Sequence, residues 1–205
     1  RNNNELVAIF GNFINRVVVL TNKYYSGQVP NPNALSDIDK ETLEKVKAFP
    51  DSLSKSIERY RFREASQELM NLARLGNKYL ADEEPWKIIK TDPERVQTIL
   101  YVALQISAAL AIVSEPFLPA SSQKLKTMLQ LPTHSWLAVK SGATLLEPAH
   151  QIGTATLLFA KIENAEIEQQ LEKLAQSKLE NKITNKVVEP QKETISFEEF
   201  SKLDM

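Results

Sequence analysis

From Ile99 to Val113 the chain carries no charged residue, and only Gln105 and Ser107 interrupt a run of Ile, Leu, Val, Ala and Tyr. The run falls short of the ~20 apolar residues needed to span a bilayer. Asp92-Pro93-Glu94 opens it, with Asp92 as the expected N-cap and Pro93 in the first turn. Glu115-Pro116-Phe117-Leu118-Pro119 breaks it. A helix apolar on most sides has no polar face to offer solvent, so other elements must cover it. That requirement points to an all-α bundle.

The remaining pattern supplies about five main helices and a C-terminal helical extension. Leu6, Phe10, Phe13, Val17 and Leu20 recur at spacings of four and three, predicting a first helix over about 4–25. Ser26 to Pro32 is a loop by composition. A second helical region is expected over 37–60, with Pro50-Asp51-Ser52 marking a restart. A third, over about 63–82, has Ala65, Leu69, Leu72, Leu75, Gly76 and Tyr79 as its apolar face. Pro85 ends that helix and suits the first turn of the next, which sets Trp86 at a tight corner. A further helix is expected over 120–129, and short helices and loops over 133–160.

Composition agrees with this and narrows the function. Only five glycines occur among 205 residues, and 42% are hydrophobic, ample for a core. A net charge of −1 disfavours non-specific, phosphate-driven binding to nucleic acid; any such contact must be local and directed at bases. The chain has no cysteine, and its two histidines, His134 and His150, are far apart in sequence. No metal site and no catalytic residue is expected. From Lys161 onward the chain holds seven basic and ten acidic residues, against 18 and 16 before it. The expected organisation is a bundle over 1–160, a helical linker over 161–190 and a flexible tail over 191–205. Opening on Arg1 within a helical pattern suggests an excised piece of a longer protein.

Two stretches carry the functional information. Gly11-Asn12-Phe13-Ile14-Asn15-Arg16 places Asn12 and Arg16 one turn apart on a flank of the first apolar stripe. Asn77 to Trp86 reads as a helix end followed by a Pro-Trp corner. An amide, a guanidinium and an indole together could hold an unstacked nucleotide, the ring stacking on the base while the polar groups read its edge. Taken singly, each has a plainer reading. A Trp beside a helix-breaking Pro is commonly a packing wedge, and a polar pair on a helix flank is commonly solvated.

These motifs resemble the anticodon-binding helical domain of the methionyl-tRNA synthetase family. Gly-Asn-Phe-Ile-Asn-Arg is similar to that domain's first helix. Ala73-Arg74-Leu75-Gly76-Asn77-Lys78-Tyr79, followed by Glu84-Pro85-Trp86, is similar to its helix and Pro-Trp corner. Glu115-Pro116-Phe117-Leu118-Pro119 and Phe159-Ala160-Lys161-Ile162-Glu163 resemble later landmarks, so the likeness covers roughly residues 3–175. Related bundles occur in the valyl, isoleucyl, leucyl and cysteinyl enzymes; the Asn-Arg plus Pro-Trp combination points to the methionyl branch.

The resemblance implies recognition of the CAU anticodon of methionine tRNAs. Asn12 and Arg16 would approach the first anticodon base, Trp86 would stack on it and Pro85 would fix the indole. Ala8, one turn before Asn12, cannot hydrogen-bond a base, leaving two reading groups on that flank. The stretch from Ile195 to Asp204 resembles the start of a C-terminal OB-fold that some members use to dimerise and hold tRNA, so this chain is expected to be a monomer. Nothing here resembles the His-Ile-Gly-His or Lys-Met-Ser-Lys-Ser signatures of the catalytic domain. Ligation of methionine to tRNA, ATP use and any zinc are therefore expected outside these residues, in a cytoplasmic enzyme without membrane partners. The competing readings are a helical protein-interaction scaffold, with Trp86 buried and Asn12 and Arg16 facing elsewhere, or the anticodon domain of another class I synthetase.

Overall fold

A computed structural model describes residues 2–133, 135–183, 194 and 196–202. A π-helical stretch, Asn2–Gly11, continues into α1, Asn12–Tyr25. It is followed by α2 (Asp37–Glu58), α3 (Phe62–Glu83), α4 (Pro85–Ile88), α5 (Pro93–Val113), α6 (Pro119–Leu129), α7 (Trp136–Ser141), α8 (Asn164–Ile183) and α9 (Phe197–Phe200). The chain forms two compact units, Arg1–Lys161 and Ile162–Met205. In the second, α8 is a single long helix and α9 one turn closed by a capping box of Ser196 and Glu199. Residues 184–193 and 203–205 of the expected linker and tail, Ile195, and His134 lie outside the described residues, so the ends of the stretch that resembles an OB-fold entry do too.

The apolar run forms α5 and is the axis of the first unit, packed by α1, α2, α3, α4, α6 and α7. By length and composition it alone among the described helices could cross a membrane, yet 89% of its most apolar stretch is buried. Asp92 caps it as its sequence predicts, accepting a hydrogen bond from the Arg95 amide. The two polar residues inside the run are both satisfied. Gln105 donates to Leu146 O at 2.7 Å and accepts from the Leu145 amide at 2.8 Å. Ser107 donates back to Ala103 O.

The restart expected at Pro50 does not occur. α2 runs unbroken through it, although a helix-interior proline forfeits an N–H and costs about 3 kcal/mol. Val46, Pro50 and Leu53 are all buried at helical spacing, so packing of that stripe outweighs the lost bond. Residues 26–36 also prove more ordered than a bare loop. Gln28 forms an antiparallel bridge with Gln151, and Asn22 donates to Gly153 O at 3.0 Å. These contacts tie residues 149–153 to the end of α1.

Candidate nucleic-acid interface

Phe13, Ile14, Val17 and Val18 face inward on α1 and are fully buried. Their burial sets the rotation of the helix and leaves Asn12 half-buried and Arg16 exposed on its outer flank. Two residues of α3 fix where α1 lies. Gly76 admits the Phe13 ring. Asn77 donates to Ile9 O at 2.7 Å, holding the π-helical stretch from which α1 continues. Phe10 packs on Phe159 with ring centroids 5.5 Å apart.

The second half of the site is the corner after α3. Glu84 takes left-handed angles (φ 41°), stopping α3 and turning the chain. Pro85 follows at the first position of α4 and is buried. Trp86 is not: 38% of its surface is exposed. Of this pair the proline is the wedge. The Arg16 Cζ lies 5.7 Å from the centre of the Trp86 ring, within cation–π range. Arg16 makes no ion pair with any described residue, and the Asn12 carboxamide makes no hydrogen bond with one. The structure therefore brings Arg16, Trp86 and Pro85 together, with Asn12 one turn away and uncommitted. A purely structural Trp86, buried with Arg16 facing elsewhere, is not what the chain shows.

A polar cluster that sequence reasoning did not find underlies the corner. Arg95, on the first turn of α5, bonds Glu83, the last residue of α3, through both Nε (3.1 Å) and Nη2 (2.7 Å). It also bonds both oxygens of Asp39 on α2, at 2.5 and 2.9 Å. Asp39 is fully buried and accepts further bonds from the Tyr79 hydroxyl at 2.6 Å and the Ser36 amide at 2.9 Å. Burial alone would raise the Asp39 carboxyl, but the bonds from Arg95, Tyr79 and Ser36 outweigh it and hold it below the usual carboxylate range. Burial, then the bond to Asp39, pushes the Tyr79 hydroxyl well above its ordinary value. The Ser36-x-x-Asp39 spacing was a visible cap signal. Nothing in the sequence joined residue 39 to 79, 83 or 95.

Of the two histidines, His150 lies among the described residues, and its Nε2 hydrogen-bonds Leu129 O at 2.9 Å, a structural contact. No three His, Asp or Glu side chains among the described residues are grouped to hold a metal ion.

Known structures place the fold in its class. An apo methionyl-tRNA synthetase from Mycobacterium tuberculosis superposes with a TM-score of 0.74 at 24% identity, covering 80% of this chain and 34% of that one. The same organism's enzyme in complex with methionyl-adenylate gives 0.66 at 26% identity, covering 78% and 32%. The bundle thus has the fold of part of a methionyl-tRNA synthetase. Residues 29–179 match the family described as the anticodon binding domain of methionyl tRNA ligase, and the chain belongs to that family. The methionine–tRNA ligase of Christiangramia forsetii is 61% identical and that of Flavobacterium psychrophilum 58% identical, each over the whole of this chain. The chain spans 30% of the length of these relatives. The family match includes Pro85 and Trp86; Asn12 and Arg16 precede it but fall within the aligned relatives.

Proposed function

We propose that this domain reads the CAU anticodon loop of methionine tRNAs at the Arg16–Trp86 corner. The observation that carries the reading is the Arg16 guanidinium over a half-exposed indole, with the free Asn12 amide one turn away. Trp86 stacks on the first anticodon base, cytosine 34. Asn12 and Arg16 address that base's polar edge: the guanidinium can only donate, and the carboxamide can do both. Cytosine offers acceptors and an exocyclic amine donor; uracil replaces that amine with an acceptor and leaves a contact unmet. Pro85, buried and fixed in φ, holds the ring's Cα in place.

The whole protein, on this reading, is a cytoplasmic methionine–tRNA ligase that uses ATP. Its chemistry, and any zinc, would belong to residues beyond the bundle. The anticodon contact would orient the acceptor end toward that distant site. Any homodimer would form through a C-terminal OB-fold, and the domain by itself would be a monomer.

The test is a fluorescence titration of the chain with a stem-loop of about 17 nucleotides bearing CAU, beside a UAU control at low salt. Base–aromatic stacking is worth about 1–3 kcal/mol, so Trp86→Ala should weaken CAU binding roughly 5- to 150-fold. Equal binding to both loops, unchanged by Trp86→Ala, would overturn the reading. A scaffold domain would bind neither.

A further inference from the structure

We infer that Glu83 and Arg95 are positioning residues for anticodon discrimination, acting through Trp86 without touching the RNA. The inference rests on the function proposed above and adds the device that sets its geometry.

The corner bearing Trp86 begins after Glu83 and ends at Asp92, and Arg95 engages both ends. Its guanidinium holds Glu83 with two bonds, and its amide donates to Asp92 at 2.9 Å. The corner's two flanks thus meet at one residue. The same guanidinium grips the buried Asp39 carboxylate, so the clamp is anchored in α2 and cannot drift with the loop. Arg95 suits this because its planar fork presents five donors in fixed geometry; a lysine offers one point of charge. The other half of the site is referenced to the same turn of α5: the Tyr25 hydroxyl at the end of α1 donates to Pro93 O at 3.3 Å. Arg16 on α1 and Trp86 on the corner therefore take their separation from one rigid element. Within the corner only short turns support the chain, such as Lys87 N to Glu84 O and Asp92 N to Ile88 O, both 2.8 Å. Among the described polar contacts the Glu83 bridge alone joins the end of α3 directly to the start of α5; the Tyr79–Asp39–Arg95 bonds link them only by way of α2.

Arg95→Ala would strand a buried carboxylate and could prevent folding, so the informative variant is Glu83→Ala, which leaves the Arg95–Asp39–Tyr79 bonds intact. In a Trp136→Phe background Trp86 is the only indole, and acrylamide quenching of the free domain should rise in Glu83→Ala while its helical circular dichroism matches the parent. Binding of the CAU stem-loop should weaken about 3- to 10-fold, part of the full stacking loss. Glu83→Gln, which keeps the acceptor, should restore most of it. In Trp86→Ala the Glu83→Ala substitution should cause no additional loss, because the two act as one unit. Unchanged quenching, or a loss that adds in full to that of Trp86→Ala, would overturn the inference. Increased quenching with Trp86→Ala binding CAU like the parent would support the clamp while sinking the anticodon reading it serves.

Discussion

Gly76 on α3 receives the ring of Phe13 from α1 so closely that a Cβ at position 76 would lie 2.5 Å from Phe13 Cζ. Because Phe13 sits between Asn12 and Arg16, this one glycine sets how near α1 can come to the helix that ends at the Trp86 corner. Gly76→Ala gains about 1 kcal/mol of helix propensity, but the ring is fully buried and has nowhere to go. Overpacking of this kind costs about 1–3 kcal/mol. The expected outcome is net destabilisation by about 1 kcal/mol in urea unfolding, with weaker CAU binding as α1 is pushed outward. The same substitution in a Phe13→Leu background should cost less. A more stable Gly76→Ala would contradict the packing argument.

Arg16 should matter for binding and hardly at all for folding. It is exposed, without an ion pair among the described residues, and its contact with Trp86 is a surface cation–π pair. Such pairs are worth about 0.5–1 kcal/mol, and surface changes of this type move stability by about 0.5 kcal/mol or less. Arg16→Met should weaken binding of the CAU stem-loop about tenfold or more, the loss of a hydrogen bond from a charged donor, and lower the thermal midpoint only slightly. A variant that unfolds early, yet binds normally when folded, would assign Arg16 to structure.

Gln105 is the polar residue the core helix cannot lose. Its amide group bonds Leu146 O and the amides of Leu145 and Leu146, all deep inside the bundle. Gln105→Leu fills the same space and improves the helix's hydrophobicity, but it strands buried backbone groups at about 1–3 kcal/mol each. Denaturation should show a loss of at least about 2 kcal/mol with an unchanged urea slope. A stabilised variant would mean that residues 145–146 find partners elsewhere.

Local chemistry was legible along this chain and long-range chemistry was not. Asp92 as a cap, Pro85 as a first-turn residue and the Phe13–Val17 stripe depend on neighbours three or four residues away, and all occur as their spacing implies. Ile14 and Val18 widen that stripe because α1 packs against both α3 and α5, which its own period does not reveal. Pro50 misled for the same reason: its local cost is visible in the sequence, while the burial that offsets it depends on where α2 lands. The resemblance brought Trp86, Arg16, Asn12 and Pro85 together as candidates. Arg95 carried no such mark, since its partners lie 12 and 56 residues away.

That cluster makes stability depend on pH at both extremes, with opposite causes. Asp39 is held below the usual carboxylate range. Its contribution is complete above the unfolded value of about 3.9 and is lost as pH falls from there through the lower folded value. Tyr79 is raised by burial and by Asp39, so its contribution is complete below the unfolded value of about 10 and is lost as pH climbs beyond it. Between pH 5 and 9 neither group titrates in either state, and urea midpoints should not vary on their account. Below pH 4 the native chain should lose stability more steeply than Asp39→Asn, which has no carboxylate to protonate. Above pH 10 it should do so more steeply than Tyr79→Phe. Parallel acid limbs for native and Asp39→Asn would show that the Arg95–Asp39 pair contributes no net charge-dependent stability.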